Sequence, residues 1–342
     1  MSASREKITC WLRVAATRLG LLAAFVMAWG WGVAEATESG RNPFPVGLNA
    51  SDIGNLPPKG FYLINEFIYF TADRFNDGEG KKLFPDFNLE VYAYAPRFLW
   101  NTGLKVLGGD VSFQFIQPVV YQSFENNFVF PPPGPPPGPL PPGFPPSPPF
   151  GSEDDWQLAD FIVTPLLSWH ADPFHWAVGM DIVFPTGSFA DQRLVNAGQN
   201  YLTLSPAFAF TFYPIEGLHI SAKATLDINF ENNDTNYDSG NAILTDFATA
   251  YTIPTEIGGI DIGVGGYTYN QISDDSLNGN SVGDGPGLSG TDGFRGQAYG
   301  IGPILGYRHP SGARIEFKAQ KDFDVENRPE GTRYFVRAFI RL

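Results

Sequence analysis

From Leu218 to Glu231 the chain alternates without a break. Leu218, Ile220, Ala222, Ala224, Leu226, Ile228 and Phe230 share one face; His219, Ser221, Lys223, Thr225, Asp227, Asn229 and Glu231 share the other. A run of period two predicts a β-strand with one apolar and one polar face. At about 3.3 Å per residue this strand is long for a soluble protein, where strands average about 5–6 residues. The same alternation returns around Trp176–Phe184, Leu202–Phe212, Ile315–Ala319 and Tyr334–Leu342. Between 88 and 101 it is less regular, because Glu90 and Arg97 cannot share a face without a bulge.

Twelve such segments are expected, near 60–73, 88–101, 104–122, 156–170, 174–185, 201–213, 218–231, 242–252, 260–271, 296–308, 313–323 and 332–342. Their connections alternate in length. Short ones are expected at Thr102-Gly103, Ala171–Pro173, Pro214–Gly217, Pro254–Gly259 and His309–Gly312, and long polar ones near 74–87, 123–155, 186–200, 232–241, 272–295 and 324–331. Short turns at one end and long loops at the other predict an all-β, transmembrane antiparallel barrel of about twelve strands. The short turns are then periplasmic and the long loops extracellular. Trp169, Trp176, Phe212, Tyr251 and Tyr307, beside the short turns, read as an interfacial aromatic girdle. A soluble sandwich or lipocalin-like barrel is the competing reading, but it needs neither strands of this length nor this loop rhythm.

The N-terminus sets the compartment. Arg5, Lys7, Arg13 and Arg18 precede an apolar run from Leu19 to Val33, and Ala34-Glu35-Ala36 has the form of a cleavage site. Residues 1–36 therefore read as a secretory signal peptide, 37–58 as an N-terminal periplasmic or lumenal segment, and 59–342 as the barrel. The expected location is the bacterial outer membrane. Cys10, the single cysteine, lies in the leader, which excludes a disulfide scaffold. Residues 131–149 hold 13 of the 30 prolines, inside an extracellular loop insertion at 127–153. Consecutive prolines cannot pair in a sheet and favour polyproline II, as a surface spacer, a contact site or a tolerated insertion.

Composition narrows the chemistry. A net charge of −14 excludes a phosphate-binding nucleic-acid protein. The four histidines, His170, His175, His219 and His309, all fall beside short turns, so no general base faces the long loops. No enzyme, cofactor or metal site is expected. Asp227-x-Asn229-x-Glu231-x-Asn233 has calcium-loop spacing but continues a strand and lacks the turn glycine. The inward faces carry the functional clue: Asp160, Asp181, Asp227 and Asp246 on the middle strands, Lys223 among them, and Arg314, Lys318 and Arg337 near the C-terminus. These are the candidate lumen-lining residues. They either set a transverse field across a solute path or pair and plug the lumen, leaving a structural or surface-contact barrel without transport. The expected partners are the lipid bilayer, the outer-membrane insertion machinery and a small-molecule solute.

Several stretches together resemble the transporter-like family of outer-membrane proteins named for the meta-pathway of phenol degradation. They are LPPKGFY at 56–62, APRF at 95–98, PTGSF at 185–189, NFENNDTNY at 229–237, SVGDG at 281–285 and DFDVENRPEG at 322–331. The resemblance implies a membrane barrel and uptake of hydrophobic or aromatic compounds, and brings no catalytic residues. The final amphipathic strand resembles the sorting signal read by the insertion machinery, with Leu342 in place of the usual Phe.

Overall fold

A computed structural model describes residues 42–49, 51–84, 86–126, 151–191, 193–282 and 292–342. The leader, most of the proline-rich insertion and Gly283-Asp284-Gly285 lie outside the described residues.

The wall is built from β1 (Gly60–Phe75), β2 (Phe87–Val106), β3 (Gly109–Ile116), β4 (Val119–Asn126), β5 (Gly151–Leu158), β6 (Phe161–Ala171), β7 (Phe174–Phe184), β8 (Thr203–Ile215) and β9 (Leu218–Asn229). After the short β10 (Tyr237–Asp238) come β11 (Ala242–Thr255) and β12 (Gly258–Gln271). The short β13 (Ser276–Leu277) and β14 (Asn280–Ser281) lead to β15 (Gln297–Arg308), β16 (Arg314–Glu326) and β17 (Pro329–Arg341). Strands β10, β13 and β14 form a small separate sheet in the loops. Every wall pairing is antiparallel and joins chain neighbours in an up-and-down order, with β3 and β4 as two parts of one strand, and β5 and β6 likewise. Strand β1 pairs with β2 on one side and with β17 on the other, so twelve strands close into a barrel. Closure is required in lipid, where an unpaired edge finds no water.

Alternation fixes which face meets lipid. Phe208, Ile220, Ile262, Leu305, Ile315, Phe317 and Val336 point outward and are exposed, while their polar neighbours His219, Ser221, Asp261 and Glu316 are buried inside. An exposed apolar belt of this extent is a lipid surface, not a water surface.

Two connections differ from the sequence expectation. The first short connection, between β2 and β3, turns at Leu107-Gly108, not at Thr102-Gly103; both turn residues have positive φ, as a two-residue hairpin of the strand's own twist requires. Thr102-Gly103 instead forms a bulge, marked by the register shift between Asn101 and Lys105, and Gly103 supplies a φ of +74°. At the other end, 324–331 is not a long loop. Strand β16 runs to Glu326 and β17 starts at Pro329, leaving only Asn327 and Arg328 to turn. The insertion is also narrower than 127–153, since Gly151 to Glu153 belong to β5. At 324–331 and 151–153 polar composition suggested a loop where the strands continue, and at Thr102-Gly103 the glycine suggested a turn where the strand only bulges.

Residues 42–58 lie inside the barrel. Val46 packs with Leu244, Tyr267, Tyr269, Ala298 and Val325. Leu48 packs with Ile68 and Phe335, and Leu56 with Tyr62, Leu99 and Ala177. Much of the buried apolar core is therefore contact between this segment and the inner wall.

Candidate functional site

The lumen is organised by the way the wall holds this segment. Near the short-turn end, the Asp52 carboxylate is gripped by Arg308 Nη1 at 2.5 Å and by Arg314, and accepts a hydrogen bond from Tyr213 Oη at 2.8 Å. His219 Nδ1 stands 3.7 Å away. Arg308 also reaches Asp261, so it ties the segment to β12. The Asp52 and Gly54 amides donate to Ser221 Oγ and Thr211 Oγ1 at 3.0 Å. Gly54 lies so close to the backbone of β8 that a Cβ would fall 2.3 Å from the Phe210 carbonyl carbon. Burial raises the Asp52 pKa, but the surrounding guanidinium groups outweigh it and hold the carboxyl down at about 2.

Halfway along, one acid and one base share three residues of the segment. Asp246 accepts the amides of Gly47 (2.9 Å) and Asn49 (3.2 Å) and the Asn49 side-chain amide (2.5 Å). Lys318 Nζ donates to the carbonyls of Gly47 (2.5 Å), Leu48 (3.1 Å) and Asn49 (2.8 Å). Gly47 adopts a φ of +76° there, and a Cβ would strike Gln320. Phe44 presents its ring to Arg97 and Lys223 at 5.5 and 5.4 Å, within cation–π range.

Most of the remaining charged side chains are held within the wall and its loops. Glu66, buried in β1, is held by Arg97 of β2 at 2.9 Å and Arg337 of β17 at 2.5 Å, bridging the seam where the barrel closes. Lys223 meets Asp181 at 2.9 Å, and Asp181 also takes Thr164 Oγ1 at 2.5 Å. Asp227 accepts Ser205 Oγ at 2.7 Å. Asp160 lies where β5 gives way to β6 and accepts the amides of Gly187 and Gln199, both at 2.7 Å, which fixes the loop between β7 and β8. Of the residues singled out in the sequence, Asp246, Lys318 and Arg314 touch the inner segment directly. Lys223 meets the segment through the Phe44 ring, Arg337, Asp181 and Asp227 belong to the wall around it, and Asp160 organises a loop.

Sequence reading did not find Asp52, Glu66, Arg97 or Arg308. Glu66 and Arg97 break the apolar run of their strands at inward positions, which is the one signal that could have marked them. Apolar Phe44, Val46 and Leu48 on alternate positions are equally unlike a solvated linker.

Small cavities of about 30 and 20 Å³ lie between the segment and the wall. Each has room for about one water-sized guest. The histidines lie at the short-turn end: His170 and His175 face each other at 3.0 Å across the Asp172-Pro173 turn, and His309 bonds Ser311 at 2.8 Å.

Against known proteins, a family model described as "Putative MetA-pathway of phenol degradation" matches residues 72–338. The chain belongs to this family. No curated protein matches it by sequence. Among solved structures, an outer membrane channel from Pseudomonas putida F1 superposes with a TM-score of 0.64 at 14% identity, over 86% of this chain and 99% of that one. The β domain of the Bordetella autotransporter Brka gives 0.43 at 9% identity, over 83% and 100% of the two chains. The transport unit of the autotransporter AIDA-I from Escherichia coli gives 0.41 at 8% identity, over 85% and 92%. The first of these agrees with the fold already described. With its closed wall and apolar belt, this family member is an outer-membrane β-barrel.

Proposed function

We propose that this barrel is an outer-membrane channel for small solutes, hydrophobic or aromatic ones included, closed in this structure by its own N-terminal segment. The observation that carries the reading is how the lumen is filled. A purely structural barrel of this width can fill its interior with wall side chains. Here the space is taken by a separate strand of chain, joined covalently to the wall only at β1. Polar contacts hold it at Asp52, Asp246 and Lys318, with no covalent cross-link to the wall. Such contacts exchange with water at modest net cost, so the segment can leave without unfolding the wall. The solute class rests on the family's description and on the aromatic lining near Phe44, Tyr267 and Tyr269.

The test is conductance of the refolded protein in planar bilayers. Deleting residues 42–58 should turn small or rare current steps into large, frequent ones. Lys318→Met, which keeps the segment but removes its central grip, should raise the open fraction. Vesicles carrying the deleted form should take up phenol faster than a sugar of similar size. Equal conductance of the intact and deleted proteins would leave the second reading, a structural barrel whose loops make its contacts.

A further inference from the structure

The charges of the mid-lumen do not balance. Arg97 and Arg337 both close on Glu66, and Arg337 stands opposite Glu316 in the β16–β17 register, so that group is neutral. Beside it, Asp181, Asp227 and Asp246 face only two ammonium groups. Lys223 is taken by Asp181. Lys318 and Asp246 grip the same three residues of the inner segment. Among the described residues, Asp227 has no cationic partner within ion-pair distance. Its carboxylate is 2% exposed, and Oδ1 accepts from Ser205 while Oδ2 has no hydrogen-bond partner among the described residues.

A second orphan oxygen lines the same space. The cavity of about 20 Å³ is bordered by Asn49, Asp181, Asp227 and Asp246, by the Lys223 ammonium and by apolar side chains that include Phe44 and Leu244. Asn49 is 6% exposed, and its Oδ1 also lacks a partner. The orientation of that amide is not free. Its Nδ2 meets the Asp246 carboxylate at 2.5 Å, and a flip would set oxygen against oxygen. Lys223, in the same wall, is held by Asp181, so the Asp227 carboxylate is left without a countercharge of its own and calls for a positive guest, since a lone buried charge is costly. No three carboxylate, imidazole or thiol groups converge as a divalent metal site would need, among the described residues.

We propose that this cavity is a binding site for one small monovalent cation, sodium being the natural candidate, with Asp227 supplying the charge and Asn49 Oδ1 a neutral oxygen. Asn49 belongs to the inner segment and Asp227 to β9, so the ion joins segment to wall. A guest that binds only the folded state stabilises it in proportion to the logarithm of its concentration.

The test uses the mature, refolded full barrel at fixed pH and ionic strength, exchanging choline chloride for sodium chloride. Choline is too large for the cavity. The unfolding temperature of the wild type should climb with each tenfold rise in sodium, and the sodium NMR line should broaden. Asp227→Asn should abolish both effects and, having no charge to compensate, unfold no earlier than the wild type in choline. Asn49→Ala, which leaves the wall intact, should weaken the sodium dependence without removing it. A wild type indifferent to sodium would show that a proton or a water fills the site and would overturn the proposal. Full sodium dependence in Asp227→Asn would overturn it as well.

Discussion

Asp52 shows how one side chain can hold a segment in place. Its carboxyl is depressed from 3.8 to about 2, because Arg314, Arg308 and His219 outweigh the cost of burial. A depressed acid stabilises the folded state above its unfolded pKa and loses that contribution as pH falls through the folded one. The latch is therefore complete above pH 3.8 and weakens toward about 2, by roughly 2 kcal/mol in all. Conductance should rise as the pH is lowered through this window, and Asp52→Asn should be leaky at neutral pH and flat across it. A profile identical in wild type and Asp52→Asn would show that the latch lies elsewhere. On the outer surface, position and not chemistry decides tolerance. Phe208, exposed in the apolar belt, should lose about 2–4 kcal/mol on change to Arg, as charges do at mid-depth in lipid. Leu107, in a short turn and the most exposed large apolar residue described, should accept Arg within about 0.5 kcal/mol. The temperature at which heated samples change gel mobility reads both. Which side chains face lipid was legible from alternation alone. Which inward charges meet was not, because their partners lie up to 271 residues away in sequence.

At the scale of elements, the seam between first and last strands is the barrel's particular vulnerability. Thirteen partner pairs, from Tyr62↔Arg341 to Phe75↔Pro329, join β1 to β17. Chain connectivity does not help here, since the two strands meet only by long-range closure. Glu66 sits inside that seam and links β2, β1 and β17 through two guanidinium groups. Glu66→Ala leaves Arg97 and Arg337 buried without their shared anion, and a broken buried pair costs about 3–5 kcal/mol. The loss should appear as a lower unfolding temperature and as slower closure during refolding into detergent. Arg314→Ala, at the half-exposed end, should cost much less. The strands were readable because lipid on one side imposes period two. Their ends were not, because above and below the apolar belt water meets both faces and the pattern fades. The β16–β17 turn is an error of that kind.

For the whole molecule, the arrangement of turns and loops fixes an orientation that can be tested directly. Short turns at Leu107-Gly108, Asp172-Pro173, Glu216-Gly217 and Glu256-Ile257 cluster at one end, and the long connections at the other, where only the Asn327-Arg328 turn is short. An up-and-down barrel inserted from the periplasm must carry its larger loops across the membrane, leaving the tight turns behind. The twelve-strand plan was legible in this rhythm. The filled lumen was legible only as one of two alternatives for residues 37–58, periplasmic or lumenal, because the short alternation at Phe44, Val46 and Leu48 does not say which surface covers it. The segment joins β1 at the short-turn end, so with the short turns periplasmic it is expected to enter the barrel from the periplasmic side. The only cysteine in the sequence, Cys10, falls in the predicted leader, which makes engineered thiols clean probes. Lys81→Cys, in the exposed β1–β2 loop, should react with a membrane-impermeant reagent on intact cells. Ile257→Cys, exposed in a short turn, should react only once the envelope is opened. Asn49→Cys should stay unreactive from either side while Asp52 and Lys318 hold the segment, and become reactive when both are replaced. Labelling of Ile257→Cys on intact cells would reverse the orientation and place the entry of the segment at the cell surface.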